Sequence, residues 1–227
     1  GAGMIRPNMA TMLAFVATDA SVSQPVLRQI LRVAVNRSFN RITIDGDTST
    51  NDSCILMASG MVDLPQIEHA EGELYEKLCD AVVAVMQQLA HAIVRDGEGA
   101  TKFVSIEVCS GADSDECLKI GYSVAHSPLV KTALYASDAN WGRIVAAIGY
   151  AGIQDLDVTK IKVWLDDVLV VDRGARYPGY SDDAGTAVVT RPDFTIKVEL
   201  GRGCASETVW TSDLSHDYVT INAEYRT

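Results

Sequence analysis

Between residues 71 and 108 the apolar pattern changes period, and no other feature of the chain constrains its fold as strongly. Leu74, Leu78, Ala81, Val85, Leu89, Ala92 and Ile93 recur at spacings of three and four, which predicts a long helix with one apolar stripe over about residues 71–95. Asp96-Gly97-Glu98-Gly99 ends it, glycine being the residue that best accepts a left-handed cap. Val104, Ile106 and Val108 then alternate with polar partners, the period of a half-buried strand. A helix handing over to a strand in this way calls for layers of both kinds.

The flanking sequence continues the mixture. Met12–Thr18 reads as a buried strand, and a helix is predicted over 24–38, with Ser23 as N-cap and Pro25 near its first turn. Arg41–Asp45 alternates as a strand, Thr48–Asp52 has turn chemistry, and Cys54–Ser59 returns as an apolar strand. Asp113–Ala125, Ser127–Ala136 and Trp141–Tyr150 read as helices, the last capped by Asp138 or Asn140. Beyond about residue 160 β-structure takes over. Ile161–Leu165 and Val168–Val171 flank Asp166-Asp167 as a hairpin, and strands are predicted at Ile196–Leu200, Glu207–Thr211 and Tyr218–Asn222. The polar, Gly-rich stretch Arg173–Arg191 reads as a long loop. The expected fold is α+β, a layered sheet-and-helix sandwich forming one compact unit, with room for a smaller C-terminal lobe from about residue 160.

Composition narrows the function classes. The 227 residues carry a net charge of -11 and no basic stripe, which argues against a nucleic-acid surface. The longest apolar stretches are broken by Arg, Asp or Lys, so no membrane segment is expected. Five cysteines (Cys54, Cys79, Cys109, Cys117 and Cys204) form an odd set without a CxxC pair, which suggests a reducing compartment and no disulfide frame. The chain begins at Gly1 rather than methionine, so a segment upstream is expected.

Chemistry concentrates near the start, in GAGMIRPNMATMLAF. Gly1 and Gly3 permit unusual backbone angles, Pro7 restrains itself and Arg6, and Ala10 presents an unhindered carbonyl immediately before the hydroxyl of Thr11. Thr11 could attack that carbonyl and break the Ala10–Thr11 bond; from spacing alone the plainer reading is that threonine simply starts a core strand, which it favours anyway. Once freed, its α-amine would serve as a general base. With a reference pKa of about 7.7–8.0, roughly a quarter to two-fifths of such an amine is neutral at about pH 7.5, against about one part in a thousand for an ordinary lysine. Among the other polar groups, Asp45, Asp47 and Asp52 lack the spacing of a calcium loop and read as turn and capping acids. His69, His91, His126 and His216 show no paired metal-ligand spacing. Glu98, taken alone, is a loop acid. Neither metal nor cofactor is expected.

The chain resembles the ornithine acetyltransferase (glutamate N-acetyltransferase) family. That family's cleavage motif runs approximately Lys-Gly-x-x-Met-x-x-Pro-x-Met-Ala-Thr-Met-Leu, and Gly1, Met4, Pro7, Met9, Ala10, Thr11, Met12 and Leu13 fit it in order. The resemblance continues through DGDTSTND (Asp45–Asp52), RDGEGATKF (Arg95–Phe103), SDANWGRI (Ser137–Ile144) and DLSHDYVTINAEYRT (Asp213–Thr227), and so covers essentially the whole chain.

The resemblance implies a fold of the ornithine acetyltransferase and N-terminal-nucleophile aminopeptidase type. It implies self-cleavage at Ala10–Thr11, with residues 1–10 ending an α chain and residues 11–227 forming the β chain. Thr11 would be the catalytic nucleophile in a ping-pong transfer of acetyl from N-acetylornithine to glutamate. Substrate would be bound by Thr11, Glu98, Asn222 and Thr227. The α chain would supply the oxyanion hole and a substrate-binding lysine, in an α2β2 assembly. The compartment implied is the cytoplasm, or the mitochondrial matrix in a fungal member. Two other readings share the same residues: an N-terminal-threonine amidohydrolase or aminopeptidase in which water resolves the acyl-enzyme, and an unprocessed non-catalytic subunit.

Overall fold

The computed structural model describes residues 3–5, 12–48 and 52–224. In chain order its elements are β1 (Leu13–Thr18), α1 (Gln24–Asn36), β2 (Ile42–Thr43), β3 (Ser53–Ala58), α2 (Glu73–Arg95), β4 (Phe103–Gly111), α3 (Ser114–His126), α4 (Pro128–Tyr135) and α5 (Trp141–Gly149). There follow β5 (Lys162–Leu165), β6 (Val168–Asp172), β7 (Ala175–Arg176), α6 (Asp182–Val189), β8 (Asp193–Glu199), β9 (Ala205–Ser212) and α7 (His216–Glu224). The described residues fall into two compact units, one of residues 3, 43–46 and 94–224, the other of residues 4–5, 12–42, 47–48 and 52–93.

In the second of these units β1 and β3 pair in parallel, from Leu13 opposite Ser53 to Thr18 opposite Ala58. Ala14, Val16 and Leu56 are buried on one face, whereas Leu13, Phe15, Ile55 and Met57 stand exposed on the other. Residues 12–18 were expected as a buried strand; β1 is half-buried, because a two-stranded sheet here has one covered face. In α1, Pro25 lies in the first turn and Val26, Ile30 and Ala34 are buried. Ser23 holds the N-cap position without making a side-chain cap bond.

α2 has the predicted extent but buries a different face. Cys79, Val82, Val83, Met86 and Ala90 are buried, while Leu74, Val85 and Leu89 from the predicted stripe are exposed. The helix is apolar on both sides, so its period alone does not say which side packs inward. By length and composition it would also pass for a membrane span.

The other unit is built on a seven-stranded mixed sheet of order β2-β9-β4-β8-β5-β6-β7, which the chain enters at Thr43. β4 lies parallel to β8 and antiparallel to β9, and β5 is antiparallel to both β8 and β6. Val104, Ile106 and Val108 of β4 and Ile196 and Val198 of β8 are fully buried. They share one core with Cys117, Ile120 and Val124 of α3, Val130 and Leu134 of α4, and Ile144 and Ile148 of α5. Close packing of α3 needs Gly121, where a Cβ would meet Val209 Cγ2 at 3.2 Å.

Local capping explains the helix starts. Asp113, Ser127 and Asn140 accept hydrogen bonds from the amides of Glu116, Val130 and Arg143 respectively, so of the two predicted caps for α5 it is Asn140 that serves. The same device corrects two expectations. Ser181 caps α6, with Asp182 and Asp183 in its first turn, inside the stretch predicted as a loop. Tyr218–Asn222, predicted as a strand, lies within α7, because Ser215 Oγ accepts from Tyr218 N at 3.2 Å and starts a helix there. The predicted strand Arg41–Asp45 shrinks to β2, as the chain bends after Thr43 and Gly46 takes φ +91°.

Ile106 sits at the centre of this core, so Ile106→Ala is expected to lower the unfolding free energy by about 2–5 kcal/mol. Urea denaturation followed by circular dichroism measures this. A loss below about 1 kcal/mol would contradict the burial of β4.

Candidate active site

After α2 the chain turns tightly, with Gly97 N donating to Val94 O at 3.2 Å and Ala100 N to Gly97 O at 2.9 Å. Gly99 takes φ +65°, and a Cβ there would lie 2.5 Å from Ser215 Oγ and 2.7 Å from Tyr218 N. Only glycine lets this turn run against the start of α7. Glu98 is thereby carried to α7, where Asn222 Nδ2 donates to its Oε2 at 2.8 Å and to Tyr218 O at 3.0 Å. One turn earlier, the Tyr218 hydroxyl donates to Asp45 Oδ2 at 3.1 Å. Gly3 adjoins both acids, since a Cβ on it would lie 3.3 Å from Asp45 Oδ2 and 3.3 Å from Glu98 Oε2. Two carboxylates, a carboxamide and a phenol thus converge from three distant stretches of sequence.

α7 contains no buried residue. Its position therefore rests on polar contacts, on the approach of Gly99, and on an edge-on pairing of His216 with Tyr135 at 5.5 Å between ring centroids.

Beneath the helix start lies a buried polar layer. Asp213 accepts from Thr101 N at 2.8 Å, Thr101 Oγ1 at 2.5 Å and Lys102 N at 3.0 Å. Three donors on one buried carboxylate offset its lost hydration. Lys131 of α4 is also buried, and its ammonium donates to Thr211 Oγ1 at 3.0 Å and to the Ser212 carbonyl. Burial pushes the Lys131 pKa down from 10.5 to about 7, against the opposing pull of Asp213 and Asp45.

In the other unit, the residue that follows Thr11 is fixed at both backbone groups. Met12 N donates to the Asp52 carboxylate, and Met12 O accepts from Ser53 N at 2.8 Å. Ala10, Thr11 and Thr227 lie outside the described residues. Among the described residues no three His, Cys, Asp or Glu side chains come together as a metal site would require.

Of the site residues named from the sequence, Glu98 and Asn222 are brought into direct contact. Asp45, expected to serve a turn, lies in a bend and also accepts from a tyrosine 173 positions away. Sequence reasoning passed over Tyr218, Asp213 and Lys131. For Lys131 a signal existed: it is the one charged residue in Ser127–Ala136, between Val130 and Ala133-Leu134, all of which are buried.

Comparison with known proteins places this geometry in a family. The ArgJ family model matches residues 1–227. The arginine biosynthesis bifunctional protein ArgJ of Pseudomonas fluorescens (strain Pf0-1) is 62% identical over 227 residues, covering 100% of this chain and 56% of the relative. Its counterpart in Pseudomonas syringae pv. tomato is 61% identical with the same coverage. The chain therefore spans a little over half the length of these curated relatives. A crystal structure of the arginine biosynthesis bifunctional protein argJ from Bacillus halodurans is 39% identical, with a TM-score of 0.90, covering 95% of this chain and 100% of that one. The α+β layered fold expected from the sequence is the fold found.

The lowered pKa of Lys131 carries a pH signature. Above about pH 10.5 the group is neutral whether folded or not; as pH falls toward 7 the unfolded chain takes up the proton first, so folding loses stability over that window and levels off below it. The stability of the unsubstituted protein relative to Lys131→Met is therefore expected to rise by about 2 kcal/mol from pH 7 to pH 9. Urea midpoints at the two pH values measure it, and a difference independent of pH would contradict the buried, deprotonating lysine.

Proposed function

The chain belongs to the ArgJ family, and from that premise we propose that it is the catalytic β chain of a self-processing acyltransferase of arginine biosynthesis, moving acetyl from N-acetylornithine to glutamate through Thr11. The observation that most supports the reading is the Glu98–Asn222 hydrogen bond at 2.8 Å, which joins two residues 124 positions apart that the family resemblance had named independently as substrate-binding. The anchoring of Met12 by Asp52 and Ser53 adds to it, because it fixes the start of β1 immediately after the proposed nucleophile.

In this reading the Thr11 hydroxyl attacks the Ala10 carbonyl carbon. The Ala10–Thr11 C–N bond breaks with proton transfer to the departing nitrogen, which frees the α-amine of Thr11, and water hydrolyses the resulting ester to release the Ala10 carboxylate and restore the Thr11 hydroxyl. That amine then takes the hydroxyl proton as Thr11 Oγ attacks the acetyl carbonyl of N-acetylornithine. Ornithine leaves with the proton on its amine, and acetyl remains as an ester on Thr11. The amine of glutamate attacks that ester, N-acetylglutamate departs, and Thr11 Oγ recovers its proton. Glu98 offers a carboxylate for the substrate ammonium and Asn222 a neutral hydrogen-bonding group beside it; Thr227 is assigned a substrate contact by the family resemblance.

Each tetrahedral intermediate needs donors aimed at its oxyanion. We assign these, with a substrate-binding lysine, to an α chain corresponding to the length of the relatives that this chain does not span, in an α2β2 assembly. Apolar side chains left exposed on β1, β3 and α2 are consistent with such a partner: Leu13, Phe15, Ile55 and Met57 on the sheet, and Leu74, Val85 and Leu89 on the helix.

Thr11→Ala is expected to abolish both processing and acetyl transfer in the complete gene product, since one hydroxyl serves both. A Thr11→Ala protein that is still cleaved would overturn the self-processing step. Glu98→Gln is expected to leave cleavage intact and to raise KM for N-acetylornithine about 10- to 100-fold, the scale of one lost charge-assisted contact. Blocked cleavage with normal turnover would contradict that assignment.

A further inference from the structure

We infer that Lys131 is a positioning residue for the acetyl-transfer site: from within the core it fixes the stem of α7, and through that stem the spacing of Glu98 and Asn222. The inference rests on the proposed function, because it is the substrate-binding role of that pair that gives the spacing its meaning.

Lys131 grips the end of β9 from three directions. Its ammonium donates to Thr211 Oγ1 at 3.0 Å and to the Ser212 carbonyl, and its own carbonyl accepts from Leu214 N at 3.2 Å. The residue enclosed by these contacts is Asp213. Its carboxylate holds the amides of Thr101 and Lys102, three and four residues beyond Glu98. The next polar residue is Ser215, whose hydroxyl caps α7 by accepting from Tyr218 N at 3.2 Å. Both sides of the site therefore leave from one stem: the Glu98 turn through Asp213, and Asn222 through Ser215 and the helix it starts.

Nothing apolar substitutes for this control, since α7 buries no residue of its own. Lys131 also comes at a cost. A fully buried ammonium forfeits its hydration, and a leucine or methionine of similar length would be buried there without that loss. A buried cation given two acceptors, and attracted by Asp213 and Asp45, suits a residue that specifies one arrangement of the chain more than one that adds stability.

The test compares the complete, processed gene product with its Lys131→Met and Lys131→Gln forms. It measures steady-state kinetics with N-acetylornithine and glutamate, and hydrogen exchange over residues 98–102 and 213–222. Lys131→Met is expected to raise KM for N-acetylornithine at least about tenfold while kcat stays within about threefold, with faster exchange confined to those two segments. Lys131→Gln keeps a donor for Thr211 and Ser212 and is expected to recover part of the KM change. An unchanged KM, a fall in kcat alone, or faster exchange spread evenly through the unit would overturn the proposal. Should Lys131→Met fail to fold, Lys131→Gln bears the same expectations at smaller amplitude, and an unchanged KM and exchange in it would overturn the proposal equally. If the unsubstituted protein transfers no acetyl, the proposed function fails on its own; unchanged exchange at 98–102 and 213–222 would then still overturn the positioning role.

Discussion

The antiparallel register of β4 and β9 is the constraint on which the rest of the site depends. Phe103 lies opposite Ser212, so the chain entering β4 and the chain leaving β9 emerge together at one end of the sheet. Residues 98–102 and 213–222 are thereby neighbours before any side chain acts. The parallel pairing of β4 with β8 makes this register reachable only through a long excursion, because parallel strands cannot be joined by a hairpin. α3, α4, α5 and α6 are spent on that excursion, and all four contribute side chains to the core that holds Ile106 and Ile196. Fold and site are in this sense one decision.

Polar chemistry then refines what the register permits. Asp213 accepts from two backbone amides just beyond the Glu98 turn, that of the buried Lys102 among them, and its own charge is met by the same donors. Gly99 removes the side chain that would keep the turn away from Ser215. Lys131 closes the layer from below. Such a network fixes a unique geometry at the expense of burying charge, a balance that favours recognition over bare stability. α7, with no buried residue, follows directly on the segment that these contacts hold.

The sequence was legible at many places where local chemistry decides, though the caps at Ser181 and Ser215 escaped it. The helix starts near Asp113 and Ser127, a cap for α5 at one of the two expected residues, Asn140, the alternation of Val104, Ile106 and Val108, and the turn at Asp166-Asp167 all depend on neighbours a few residues away, and all appear where expected. Legibility failed where tertiary contact decides. α2 carries apolar residues on both sides, so the choice of Val82, Val83 and Met86 over Val85 and Leu89 is made by what packs against it. Tyr218-Val219-Thr220-Ile221 has strand-favouring side chains, yet the Ser215 cap and the contacts to Asp45 and Glu98 hold it as a helix. Glu98 and Asn222 came from family resemblance and not from spacing. Lys131 and Asp213 act across 80 residues or more, a range at which no periodicity operates.

The central claim is that Thr11 becomes a free N-terminal nucleophile that carries acetyl between two amino acids. Intact-mass spectrometry of the complete gene product, before and after mixing with N-acetylornithine and then glutamate, tests it most directly. The account predicts a chain that begins at Thr11, gains the mass of one acetyl group with the donor, and loses it when glutamate is added. An uncut chain, or a cut chain that never carries acetyl, would contradict it.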